Sequence, residues 1–193
     1  HSKLEEKYVD ELYKDKRYRE IIKHRSFNPR LISYITDPTR LDACQPEKYW
    51  DFIIQSLTNP SQVWENPFEV QQDDFGRAIV MLTVFNGGNI SENALSQAYQ
   101  RFILLPENQH LKGRSQFRSN IRLLCGSFLN RDVSFGGSPI INLFNPSIGD
   151  YVLKRYSGDA VAVRLAMLSL ITVRSIETLR SLTNNKKILN IDD

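Results

Sequence analysis

Few residues of this chain are equipped for chemistry, and the most promising of them are basic. In the stretch His24 to Thr36, a short polar turn of Asn28, Pro29 and Arg30 hands over to Leu31, Ile32 and Ile35 at helical spacing. Proline suits the first helical position, where its missing N–H would have no partner. Arg30 adds a permanently charged, forked donor that matches phosphate oxygens. The same stretch also reads as an ordinary capped surface helix that happens to carry an arginine. A second basic set, Arg114, Arg118 and Arg122, recurs at i, i+4 and i+8 and forms a row along one helix, with Lys112, Arg131, Lys154 and Arg155 as further phosphate contacts. Opposite an apolar face, such a row is also what any solvated helix carries.

Sequence patterns for catalysis are absent. No G-x-x-x-x-G-K-[ST] loop cradles phosphate, and Gly87-Gly88 and Gly136-Gly137 lack the lysine and following helix, so they read as turn glycines. No Ser/His/Asp or Cys/His arrangement can be placed. Cys44 and Cys125 lie far apart and the three histidines do not cluster, so neither a disulfide framework nor a metal site is indicated. The expectation is a non-enzymatic piece in a reducing, cytoplasmic setting. The first residues are charged and form no secretory signal, and the longest apolar run, Ala160 to Val173, contains Arg164 and is too short to span a bilayer. Because the chain opens on His1-Ser2, the expectation is a segment of a longer protein.

Charge is uneven although the net value is only +3. By count, residues 1–30 are net +3, residues 31–110 net −6 and residues 111–193 net +6, which suggests modules with separate surfaces.

The periodicity places these residues on a mainly α framework. Leu4, Tyr8 and Leu12 make one short stripe and Tyr18, Ile21 and Ile22 a second, with the charged run from Lys14 to Arg19 between them. The Pro29 helix stops at Asp37-Pro38, and Glu47 to Leu57 gives a helix with Tyr49, Trp50, Ile53, Ile54 and Leu57 inward. Trp64 and Phe68 fall in a loop rich in Pro and Asn. Helices then follow from Asp74 to Asn86, from a Ser91 cap through Ile103, and from about Gly113 to Leu129. Val133–Phe135 and Ile140–Phe144 read as a hairpin across Gly136-Gly137-Ser138-Pro139. Three helices and a hairpin are the order of a winged helix. Ser147 caps a further helix with Ile148, Tyr151, Val152 and Tyr156 inward, and residues 159 to about 182 close the chain. The nearly all-apolar run at 160–173 implies burial on every side or a missing neighbour.

The Asn28-Pro29-Arg30 segment resembles the sensor segment of STAND-class, AAA+-related P-loop NTPases of the bacterial antiviral STAND type. A second segment, Phe144-Asn145-Pro146-Ser147-Ile148-Gly149-Asp150-Tyr151, is similar to the opening of the last winged-helix helix in that class. The resemblance implies a helical lid over residues 3–70, a winged helix over 74–158 and a trailing helical segment over 159–193. It implies that Pro29 lines the adenine of ATP or ADP, that Arg30 or His24 approaches phosphate, and that Asn28 belongs to the same contact. It implies a core supplied elsewhere in the same protein, since the P-loop is missing, and a parent ATPase that converts nucleotide exchange into oligomerisation in antiviral defence. In NLR receptors the second segment carries a phosphate-sensing histidine. Here Pro146 stands at that position, which leaves packing and capping as the role. Winged helices also bind DNA through their third helix, so a DNA-binding module using Arg114, Arg118 and Arg122 is the alternative.

Overall fold

A computed structural model describes residues 4–25, 27–59, 61–111, 117–133 and 137–184. The chain divides into two compact units, His1–Pro67 and Phe68–Asp193. It is mainly helical, with a small three-stranded antiparallel sheet.

In the first unit, helix α1 (Glu6–Tyr13) is followed by a 3-10 turn at Lys14–Lys16 and then α2 (Tyr18–Lys23). Asp15 and Lys16 take positive φ angles of 51° and 60°, which breaks the helix within the charged run. Next come α3 (Pro29–Ile35), α4 (Pro38–Leu41), α5 (Tyr49–Thr58) and α6 (Ser61–Glu65). Asp37 caps α4 by accepting from the Thr39 N–H at 3.0 Å, so Pro38 opens this helix as Pro29 opens α3. The core joins Tyr8, Ile21, Leu31, Ile35, Tyr49, Ile53 and Leu57. Two phenols tie it to the backbone: the Tyr8 hydroxyl donates to the Leu41 and Cys44 carbonyls at 3.0 and 2.8 Å, and the Tyr49 hydroxyl to that of Ile35 at 3.2 Å. Their rings meet edge-on at 4.9 Å. Two residues expected inward, Ile22 and Ile32, are exposed; Tyr34, which the spacing did not select, is buried.

A π-helical turn covers Asn66–Val70, so Phe68 lies in helical backbone rather than the expected loop. The second unit is built on α7 (Asp74–Phe85), buried on nearly every side from Ala78 to Phe85. Gly87 and Gly88, with φ of 80° and 85°, turn the chain into β1 (Asn89–Ser91), a strand the sequence did not suggest. Ser91 caps α8 (Glu92–Leu104) as expected, its Oγ accepting from the Ala94 N–H at 3.2 Å. The third helix ends earlier than expected: α9 covers Phe117–Leu124, its expected start near Gly113 lies outside the described residues, and Gly126 (φ 81°) turns the chain into β2 (Leu129–Asp132). The described hairpin strand begins four residues before the expected Val133, because the glycine ends the helix before Leu129, while positions 134–136 of the expected hairpin lie outside the described residues. β3 (Ile140–Leu143) pairs with both others in the order β1-β3-β2, with Ile90 opposite Ile141 and Leu129 opposite Leu143.

Among the described residues three further helices belong to this unit: α10 (Pro146–Tyr156), α11 (Ala160–Leu170) and α12 (Val173–Asn184). The apolar run at 160–173 is split at Ile171, which adopts a left-handed φ of 51°. α11 packs on α7 and α8, while Val161, Leu168, Ile171 and Val173 stay exposed, so burial is one-sided. No described helix is long and apolar enough to cross a membrane.

The buried Tyr49 phenol makes the first unit sensitive to alkali. Burial is the largest cause, with Cys44 and Tyr8 adding to it, of a rise from 10.0 to about 12. The neutral form is favoured in the folded state, so the corresponding stability is intact below pH 10 and is lost as pH rises towards 12. That loss is on the order of 2–3 kcal/mol. Tyr49→Phe should flatten this part of a urea-stability profile, at a neutral-pH cost of about 1 kcal/mol for the lost hydrogen bond. Parallel alkaline limbs for the two proteins would contradict the assignment.

Candidate functional site

The Asn28-Pro29-Arg30 turn is built around a cap. Asn28 is extended and buried, and its Oδ1 accepts from the Leu31 N–H at 2.9 Å. The side chain and the carbonyl of Asn28 share this donor at the helix start, the carbonyl lying at 3.1 Å. Pro29 follows at the first helical position with its ring exposed. His24 ends α2 in extended backbone, and its carbonyl accepts from the Phe27 N–H at 2.9 Å, which folds the chain between α2 and α3. Arg30 is half-buried, with its guanidinium carbon 5.6 Å from the centroid of the Trp64 ring. Burial lowers the proton affinity of this guanidinium from its ordinary value. The ring therefore holds a partly dehydrated cation next to an exposed proline. Sequence reading found the motif but missed Trp64, which is distant in the chain and whose indole gives no periodic signal.

The second segment has a different cap from the one expected. Asn145, not Ser147, caps α10: its Oδ1 accepts from the Ser147 N–H at 2.9 Å and the Ser147 hydroxyl at 2.6 Å. Asparagine wins because the N-cap must be extended, as Asn145 is, while Pro146 already takes the first helical position. Gly149 lets α10 approach β3, since a Cβ there would lie 3.2 Å from the Leu143 side chain. An open cleft of about 440 Å³ lies beside Pro146, Gly149, Asp150, the Gly87-Gly88 turn and Thr178. Glu69 ties the far part of α10 down, accepting from the Tyr151 hydroxyl at 2.9 Å and from Arg155 Nε at 2.8 Å.

Of the basic row, Arg118 and Arg122 lie one turn apart on α9, both exposed and both without a carboxylate partner among the described residues. Arg114 and Lys112 lie outside the described residues. Of the other cations grouped with them, Arg131 pairs with Glu92 at 2.6 Å and Arg155 with Glu69, so both are already engaged. Among the described residues, no three His, Cys, Asp or Glu side chains are grouped as a metal site would need. Comparison of the chain with protein-family models, with curated proteins and with solved structures gave no match.

If Asn28 acts as the cap of α3, Asn28→Ala should lower stability by about 1–2 kcal/mol while Asn28→Asp or Asn28→Ser recovers most of it. Urea unfolding midpoints of the three variants measure this. An alanine variant as stable as the parent would leave the buried asparagine without a structural role.

Proposed function

We propose that this chain is the helical lid and winged-helix part of a STAND-type NTPase, which senses ATP or ADP bound at a core provided by the rest of the protein and couples exchange to oligomerisation. The observation that carries the reading is the second unit's order α7-β1-α8-α9-β2-β3 with strands arranged β1-β3-β2, following a separate helical unit. That order supports a winged-helix reading, in which β1 is the strand that closes the sheet. A lid followed by a winged helix is the succession in the NTPases that the two Asn-Pro segments resemble.

Within the lid, the adenine-facing element is Pro29, whose exposed ring stands at a capped helix start. Arg30 is the phosphate-facing element. A guanidinium already stacked on Trp64 has lost part of its hydration and side-chain freedom, so a phosphate meets a preorganised donor. His24 and Asn28 shape the turn that presents both. In α10, Pro146 and Asn145 act by packing and capping. Nucleotide then acts by differential affinity: the state in which the lid meets the bound phosphates is favoured by the contact energy of Pro29 and Arg30.

Two measurements test the reading. Calorimetric titration of this chain alone with ATP or ADP should show no micromolar binding, because the principal phosphate ligands belong to the core; micromolar affinity would overturn a divided site. In the protein containing the core, Arg30→Ala should impair nucleotide-dependent assembly and Pro29→Ala should weaken nucleotide binding. The proline change should cost no more than about 1 kcal/mol of stability. Unchanged assembly in Arg30→Ala would remove Arg30 from the site.

A further inference from the structure

A second feature lies apart from the two Asn-Pro segments. Along α8, Asn93, Ser96 and Gln100 recur at i, i+3 and i+7, a polar stripe on the helix whose Leu95, Ala98, Tyr99 and Phe102 are buried. This stripe faces an open cleft of about 690 Å³ that is closed by Phe117 and Arg118 at the start of α9 and by the residues just before β3. The volume falls in the roughly 300–1,000 Å³ range of ligand sites.

Each part is placed for use. Phe117 is half-buried, and Tyr99 supports it from within at a centroid distance of 5.6 Å, so the ring is held in place while part of it still faces the cleft. The side chains of Ser96 and Gln100 and the guanidinium of Arg118 make no hydrogen bond or ion pair among the described residues. The carboxylate in the cleft, Glu92, is held by Arg131 at 2.6 Å, so it does not oppose an anion there. The result is an aromatic face, the Gln100 amide, the Asn93 amide, whose Oδ1 accepts only a long 3.5 Å hydrogen bond from Gln97, and a cation without a partner among the described residues.

The geometry points to a single-stranded nucleic acid site in this cleft: an unpaired base stacks on Phe117, the amides of Asn93 and Gln100 read its edge, and Arg118 takes the adjoining phosphate. An extended peptide would call for a row of apolar pockets or an open strand edge. Amide pairs beside one aromatic ring and a guanidinium are instead the set that a base and its phosphate use. From Arg118 the strand continues over Arg122, one turn further along α9. A duplex would keep its bases stacked and reach only the outer face of α9, leaving the cleft unused.

The test is fluorescence anisotropy of the 193-residue chain with labelled oligo(dA), oligo(dT), oligo(rA) and oligo(rU), with a duplex of matched composition, and with AMP as competitor. Single strands should bind at low salt and weaken as salt rises. The duplex and AMP should each bind at least about tenfold more weakly, and Phe117→Leu, which keeps an apolar side chain but removes the stacking face, should cost about tenfold. Asn93→Ala with Gln100→Ala changes only exposed positions, so the variant should melt as the parent does yet lose its preference among bases. No single-strand binding at low salt overturns the inference. So does a double variant whose base preference is unchanged, and so does AMP binding as tight as the strand. Duplex binding that is equally tight, insensitive to Phe117→Leu and abolished by Arg118→Glu with Arg122→Glu would move recognition to the outer face of α9. None of these readouts involves ATP, so the lid reading stands or falls separately.

Discussion

The second unit depends on keeping α7 dry. Residues 78–85 of this helix are all buried, so no side of it tolerates water and each neighbouring element is obliged to cover one. The sheet, α8 and α9 cover part of its surface, and α10, α11 and α12 pack on the rest. Thr83 shows how the constraint is met: it has no exposed surface, and its hydroxyl returns to the Ile79 carbonyl at 2.9 Å. At the end of the helix Asn86 is buried as well, donating to the Asn89 carbonyl at 2.7 Å and accepting from the Thr172 hydroxyl at 2.5 Å. One side chain thus joins α7 to β1 and to the start of α12. An α7 packed so completely also requires the turn that follows it to be tight, which is why Gly87 and Gly88 take left-handed backbone there.

Helix starts were the most legible part of the fold, because their determinant is local. Ser91 was identified as a cap from its residue type ahead of an apolar repeat, and Pro29 as a first-turn residue from its missing donor. Asp37-Pro38 reads from sequence as a helix stop, whereas it also starts the short α4, since one proline can end one helix and begin the next. At α10 the expected cap, Ser147, lies inside the helix: Pro146 takes the first helical position, which leaves Asn145 as the cap.

Features that depend on distant partners were not legible. β1 is three residues long and has no alternation of its own; it is a strand because β3 pairs with it. The end of α9 was set too far along because Cys125 and Phe128 continue an apolar period that Gly126 interrupts in space. The break at Ile171 left no sequence mark at all, since a β-branched residue is a poor choice for a left-handed position. In the candidate site, the turn at Asn28 was readable while the support under Arg30 was not, because Trp64 comes from α6. The polar stripe of α8 is not legible from periodicity, because the apolar repeat marks the buried face of the helix and the cleft lies on the opposite one.

The arginines show how structure separates support from recognition. Arg77 is consumed internally: its Nη1 donates to the Glu69 and Gln72 carbonyls at 2.9 and 2.6 Å and its Nη2 to Asp74 at 2.5 Å, so it closes the π-helical turn onto α7. Arg101 does the same at the end of α11, donating to the Ser169 and Leu170 carbonyls at 2.6 and 3.2 Å where the backbone turns left-handed. Both satisfy carbonyls that a helix terminus leaves without intrahelical donors. Arg17 pairs with Glu11 and lies over Trp50, and is equally committed. Among the described residues Arg118 and Arg122 have no such duty, and a guanidinium kept at a surface without a carboxylate or carbonyl contributes little to folding. Arg30 falls between these groups: it is half-buried beside the Trp64 ring, and burial has already removed part of its hydration. A guanidinium whose dehydration is partly met by the fold gives up less water when an anion approaches, and that sets it apart from the fully exposed arginines.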